Sequence, residues 1–162
     1  MRIIGVDPGT ARTGFGIIDF SADRFAVVDY GYIKTGVDLL LPARLQLIYE
    51  QLQKIIQNFR PERFAIEELF FNKNVRTAMG VGEARGVAVL AAAGAGLVIS
   101  EYTPLQVKQA VVGYGRATKQ QVKYMVKAIL GLPEPPTPDD VTDALATAIC
   151  DAFSMSGKNL WK

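Results

Sequence analysis

The chain has 162 residues, with hydrophobic residues at 49% and charged residues at 21%, the balance of one compact globular domain and not of a disordered chain. Lys and Arg number 18 against 16 Asp and Glu, a net charge of +2, too small by itself to define a nucleic-acid partner. Histidine is absent and cysteine occurs once, which excludes Ser–His–Asp and Cys–His triads, His-based metal sites, Cys-rich zinc sites and an internal disulfide.

In chain order, Ile3–Val6 reads as a first strand ending at the turn Asp7-Pro8-Gly9-Thr10. Gly14–Phe20 is a second strand, and Phe25–Tyr30, running on towards Thr35, a third. Short turns between them predict an antiparallel meander. From about Pro42 to Asn58, Leu45, Ile48, Leu52, Ile55 and Ile56 recur at spacings of three and four, which predicts an amphipathic helix. Arg63–Glu67 reads as a fourth strand, Val75–Ala93 as a helix of small residues, and Leu97–Ser100 as a fifth strand. Three helix starts follow, at Thr103, Thr118 and Thr137, each with a side chain three residues on that reaches back in the manner of a capping box. This order predicts a mixed five-stranded sheet flanked by helices, compatible with a ribonuclease H-like fold. A single domain over residues 1–155 with a short tail, 156–162, is expected. The N-terminus has no long apolar segment and the Gly86–Ser100 stretch is short for a membrane span, so a cytoplasmic protein without membrane contact is expected.

The chemistry that remains rests on carboxylates, which favour hard divalent cations such as Mg²⁺. Asp7 ends the first strand, where open sheets present side chains to a ligand crevice, although an Asp before Pro-Gly is also an ordinary turn residue. Glu67 and Glu68 end the fourth strand, and alternation alone does not say which of them faces the crevice. Asp140 and Asp143 lie three apart at the start of the last helix, on one side of it. Capping accounts for Asp139 or Asp140 more easily than for Asp143. Asp151 is eight residues beyond Asp143, about 12 Å along the axis, too far to join a compact site.

Between Tyr102 and Pro133 there is no acidic residue, while Lys108, Arg116, Lys119, Lys123 and Lys127 give that stretch a charge of +5. A one-sign run without acidic partners suits a phosphate backbone better than a solvated face. Phe70 and Phe71 beside Lys73 and Arg76 suit stacking on bases, with core packing the alternative for Phe71. Cys150 reads as a small buried residue.

Asp7-Pro8-Gly9 with Thr13-Gly14-Phe15-Gly16, Ala65-Ile66-Glu67 with Phe70 and Lys73-Asn74, Gly82–Gly86, Val107-Lys108-Gln109, Gly113–Lys119 and Asp140–Ala146 together resemble, in order and spacing, the RuvC family of Holliday-junction resolvases. The resemblance implies a ribonuclease H-like homodimer that cuts four-way DNA junctions at symmetric positions with Mg²⁺, two ions per site, or Mn²⁺ as a substitute. It makes Asp7, Glu67, Asp140 and Asp143 the catalytic, metal-holding set and Glu68 a bystander. It makes Lys108 and Lys119 phosphate contacts and Phe70 the aromatic at the crossover; the basic stretch and the Phe70 segment add Arg116 and Lys73 as expected DNA contacts. The small-residue helix from Val75 becomes the dimer face, and the RuvA and RuvB branch-migration proteins the expected partners. Asp7-x-Gly-Thr also resembles the phosphate loop of sugar kinases and actin-like ATPases, but those proteins are far longer. A nuclease of the same fold acting on RNA, and a junction binder without catalysis, are the remaining alternatives.

Overall fold

The computed structural model describes residues 1–70 and 75–157. Its elements run β1 (Arg2–Asp7), β2 (Arg12–Ser21), β3 (Arg24–Lys34), α1 (Leu41–Phe59), β4 (Arg63–Glu67), α2 (Val75–Gly94), β5 (Val98–Tyr102), α3 (Pro104–Val112), α4 (Lys119–Leu130) and α5 (Asp139–Met155). The five strands form one mixed sheet in the order β3-β2-β1-β4-β5. The meander β1-β2-β3 is antiparallel as expected, and β4 and β5 join it in parallel.

Two apolar layers hold the sheet. One face packs Ile4, Val6, Ile17, Phe64 and Ile66 against Ile48, Leu52 and Ile56 of α1 and the alanines of α2. The periodicity of α1 is therefore its buried seam. The other face carries α5, whose Ala144, Leu145, Ala148 and Ile149 are fully buried, with α3 and α4 packed beyond it. At 25 cal/mol per Å² of apolar area, each of the larger buried aliphatic side chains contributes roughly 1.5–3 kcal/mol.

Helix α5 lies unusually close to the sheet because glycines face it. A Cβ on Gly5 would meet the Ala144 carbonyl oxygen at 2.0 Å, and one on Gly14 the Asp140 carbonyl oxygen at 2.1 Å. Only residues without side chains admit such an approach, and the consequence is that the first turn of α5 sits directly on β2.

Two of the three predicted capping boxes form. Thr103 accepts from the Gln106 N–H, Thr118 accepts from the Gln121 N–H, and each glutamine side chain returns to the cap backbone. The third does not. Pro138, after a cis Thr137–Pro138 bond, takes the N-cap of α5 with no side-chain hydrogen bond, and the helix starts at Asp139. Proline offers no side-chain acceptor, so the acids of the first turn complement the helix dipole instead. Strand β5 runs to Tyr102, beyond the expected Ser100, because parallel pairing with β4 continues to Glu67↔Tyr102.

Beneath the site, Asp151 is fully buried, its carboxylate receiving the Arg63 guanidinium at 2.7 and 2.8 Å and the Tyr102 hydroxyl at 2.7 Å. It ties α5 to β4 and β5, far from Asp143 as its spacing requires. Cys150 is buried, and its thiol is pushed up to about 12 chiefly by desolvation, which makes it an inert packing residue.

Candidate functional site

Parallel strands end on the same edge of a sheet, so β1 and β4 deliver Asp7 and Glu67 side by side, each one residue past the paired Val6 and Ile66. The register partner of Asp7 on β2 is Gly14, and the backbone of Asp140 rests on Gly14. This contact brings the N-terminus of α5 over the same edge. Asp143 follows one turn later and lines a cleft of about 240 Å³ with Glu67, Lys108, Lys119 and Val122. The four predicted acids thus come from three elements to one end of the sheet.

The loop after β1 is closed tightly. The buried Thr13 hydroxyl donates to the Gly9 carbonyl at 2.8 Å, and Thr35 from the end of β3 donates to the Thr10 carbonyl. On the β4 side, Arg85 of α2 donates from Nε to the Glu67 carbonyl at 3.2 Å and from Nη2 to Glu101. Arg85 therefore holds the backbone that carries Glu67. Glu68 is exposed and lies in a separate hollow with Leu69, Arg85 and Glu101. The question that alternation left open is answered: Glu67 faces the cleft.

The electrostatics are those of crowded acids. Burial first, then the charges of Asp143, Asp140 and Glu67, push the Asp7 carboxyl up to about 7. Burial and Asp143 push Glu67 up to about 7 against the opposing pull of Lys108 and Lys119. Asp143 is also raised, by burial, with Lys119 opposing. Lys119 Nζ lies 3.5 Å from Asp143 and Arg12 Nε 3.3 Å from Asp140, so two of the acids are already engaged by cations. Among the described residues no three acidic side chains are gathered into a finished ligand set. The chemistry of the donor set still fits a hard divalent cation: oxygen donors alone, partly desolvated, and carrying more negative charge than their neighbours neutralise.

The basic residues divide. Lys108 and Lys119 reach the cleft. Arg116 is exposed on the α3–α4 loop, and Lys123 pairs with Asp139 at 2.6 Å, drawing that carboxyl below its ordinary range. Phe70 stands 54% exposed beyond β4, available to a partner. Lys73 and Phe71 lie outside the described residues. Arg12 was not singled out by the sequence. Its only local signal is a position five residues after Asp7, and its pairing with Asp140 spans most of the chain.

The family model for crossover junction endodeoxyribonuclease RuvC matches residues 3–151. The chain belongs to the RuvC family. It is similar to the crossover junction endodeoxyribonuclease RuvC of Pelotomaculum thermopropionicum, 62% identical over 94% of this chain and 93% of that one. The corresponding protein of Alkaliphilus oremlandii is 55% identical over 100% of this chain and 99% of its own length. Among solved structures, Thermus thermophilus RuvC in complex with a Holliday junction substrate superposes with a TM-score of 0.90 at 37% identity, covering 96% of this chain and 94% of that one. The ribonuclease H-like architecture expected from the element order holds. Among the described residues no helix is long and apolar enough to cross a membrane.

Proposed function

We propose that this chain is a Mg²⁺-dependent endodeoxyribonuclease that acts as a homodimer and resolves four-way DNA junctions in recombination and repair by paired, symmetric phosphodiester cuts. The observation that carries the reading is the meeting of Asp7, Glu67, Asp140 and Asp143 at one sheet edge beside Lys108 and Lys119. A protein that only bound DNA would gain nothing from acids facing phosphate.

In this reading Asp7, Glu67, Asp140 and Asp143 hold the metal. When bound, Mg²⁺ supplies a Lewis acid for the phosphate and a water of lowered pKa. The chain's own residues do the rest. Lys119 and Lys108 offset charge that develops on the scissile phosphate from the α3–α4 side. Arg85 fixes the Glu67 backbone and with it the origin of the carboxylate. The partly buried cleft weakens solvent screening, so each of these charges acts more strongly than it would in bulk water. Phe70 is available to stack at the crossover.

Exposed Val75, Met79 and Leu90 on α2, with Gly86 leaving open space beside them, support that helix as the dimer face. Two sites related by a two-fold axis match the symmetry of a junction. RuvA and RuvB, which move the branch point, are the partners this activity calls for. Mixed dimers of wild-type and Asp7→Asn subunits test the arrangement on a labelled junction. The reading predicts one nick per mixed dimer where the wild type makes two. Two nicks from mixed dimers would show that one subunit serves both strands.

A further inference from the structure

The four acids would repel a polyanion unless cations flank them; Lys108 and Lys119 line the cleft with Glu67 and Asp143, and Lys123 is taken up by Asp139. The opposite flank is built by β2 and β3. Arg12 opens β2 and pairs with Lys34, the last residue of β3. Directly opposite residues in an antiparallel pair project from the same face, so the two cations stand side by side. That face is the one carrying α5. Gly14, two residues from Arg12, lies under Asp140, and Arg12 itself reaches Asp140 at 3.3 Å. Two like charges placed across a strand pair destabilise it, an arrangement that makes sense where an anion arrives.

The strip continues along β3. Tyr32 pairs with Gly14 and Tyr30 with Gly16, so both tyrosines share that face, and they are 46% and 40% exposed. Lys34 is exposed, and the Arg12 side chain is 52% exposed despite its ion pair. Two cations followed by two standing aromatics, contiguous with the acid cluster, form a surface for a phosphate backbone and its sugars.

We propose that Arg12 and Lys34, extended by Tyr32 and Tyr30, form a second DNA-contact strip that carries the duplex arm leaving the site on the side away from Lys119. The inference rests on the junction-cleaving reading and adds a path to it. Arg12 would exchange Asp140 for a phosphate as the acids take up metal. Its contribution to binding is therefore greater with a divalent cation present than without one.

The test is binding of a synthetic four-way junction across a salt series, in Ca²⁺ to limit cutting and again in EDTA. It compares wild type, Lys34→Gln, Arg12→Gln/Lys34→Gln, Arg12→Lys/Lys34→Arg, and Lys54→Gln on the exposed side of α1 as a control. Each lost phosphate contact reduces the slope of log K against log salt by about 0.9, so in Ca²⁺ the double glutamine variant should lose about 1.8 and the single variant about 0.9, whereas in EDTA, with Arg12 held by Asp140, the double variant should lose only about 0.9. The charge-keeping double variant should match wild type, as should Lys54→Gln. A slope for Arg12→Gln/Lys34→Gln equal to that of wild type overturns the strip. So does an equal loss in Lys54→Gln, which would mean that only net charge was being read. Lys34 touches none of the acids, so its single variant separates DNA contact from damage to the metal site. Failure of the wild type to prefer junction over linear duplex would instead sink the parent reading.

Discussion

Asp7→Asn should abolish cleavage and at the same time stabilise the metal-free protein. The carboxyl rises from 3.8 to about 7 because it is partly buried and faces Asp143, Asp140 and Glu67. The sign follows from linkage: a carboxyl with a raised folded-state value binds a proton more tightly when folded. Stability therefore falls as pH climbs from the unfolded value near 4 to the folded value near 7, and the full penalty stands above that. A shift of about three units at about 1.4 kcal/mol each sets a ceiling of about 4 kcal/mol. That ceiling already includes the opposing pull of Lys119; asparagine keeps some cost of burying a polar group and solvent screening takes a further share, so a gain of about 1–2 kcal/mol is expected. For a chain of this length that raises the melting temperature by roughly 2–8 °C. Thermal melts in EDTA from about pH 4 to about pH 8 read it directly: the two proteins should coincide at the acid end and diverge as pH rises. Adding Mg²⁺ at the alkaline end should raise the wild-type melt and narrow the gap. A pH-independent difference, or a wild type more stable than Asp7→Asn at about pH 8 in EDTA, would mean that Asp7 carries no such burial penalty.

Glu67→Gln should bind junctions normally and lose cleavage by two orders of magnitude or more, while Glu68→Gln cuts at the wild-type rate; parallel gel assays of the two check which acid acts. Gly14→Ala drives a Cβ into the Asp140 carbonyl at 2.1 Å, so it should cost about 1–3 kcal/mol in a denaturant melt and slow cleavage as α5 lifts from the sheet. Arg85→Ala frees the Glu67 carbonyl. It should lower the cutting rate and raise the Mg²⁺ concentration needed for half-maximal rate, with junction affinity in EDTA unchanged. Lys119→Ala should reduce the salt slope of junction binding by about 0.9, read by fluorescence anisotropy.

Much of this site was legible because its acids stand at element ends, and element ends are what periodicity and turn residues mark best. Asp7 and Glu67 close apolar strands, and Asp143 escapes the capping explanation that covers its neighbours. Long-range placement was less legible. That Glu67 and not Glu68 faces the cleft depends on pairing of β4 with β1 and β5, which alternation within one strand does not determine. Gly5 and Gly14 look like motif residues in sequence, and only the approach of α5 explains them as a seat for the helix. Arg12 and Arg85 act across 128 residues in one case, through Asp140, and on a backbone carbonyl in the other, so neither leaves a local pattern. Thr137 carries the composition of a cap, whereas Pro138 occupies the position, so α5 starts at Asp139. Lys73, expected to contact DNA, and Phe71, divided between base stacking and core packing, lie outside the described residues.

The most direct measurement is strand scission by the wild-type protein on end-labelled four-way junctions, run beside matched linear duplex and RNA–DNA hybrid, with Mg²⁺ or EDTA. Paired nicks at symmetric positions are expected on the junction alone, and only with the metal. Tight junction binding without nicks in Mg²⁺ or Mn²⁺, or preferential cutting of the hybrid, would contradict that expectation.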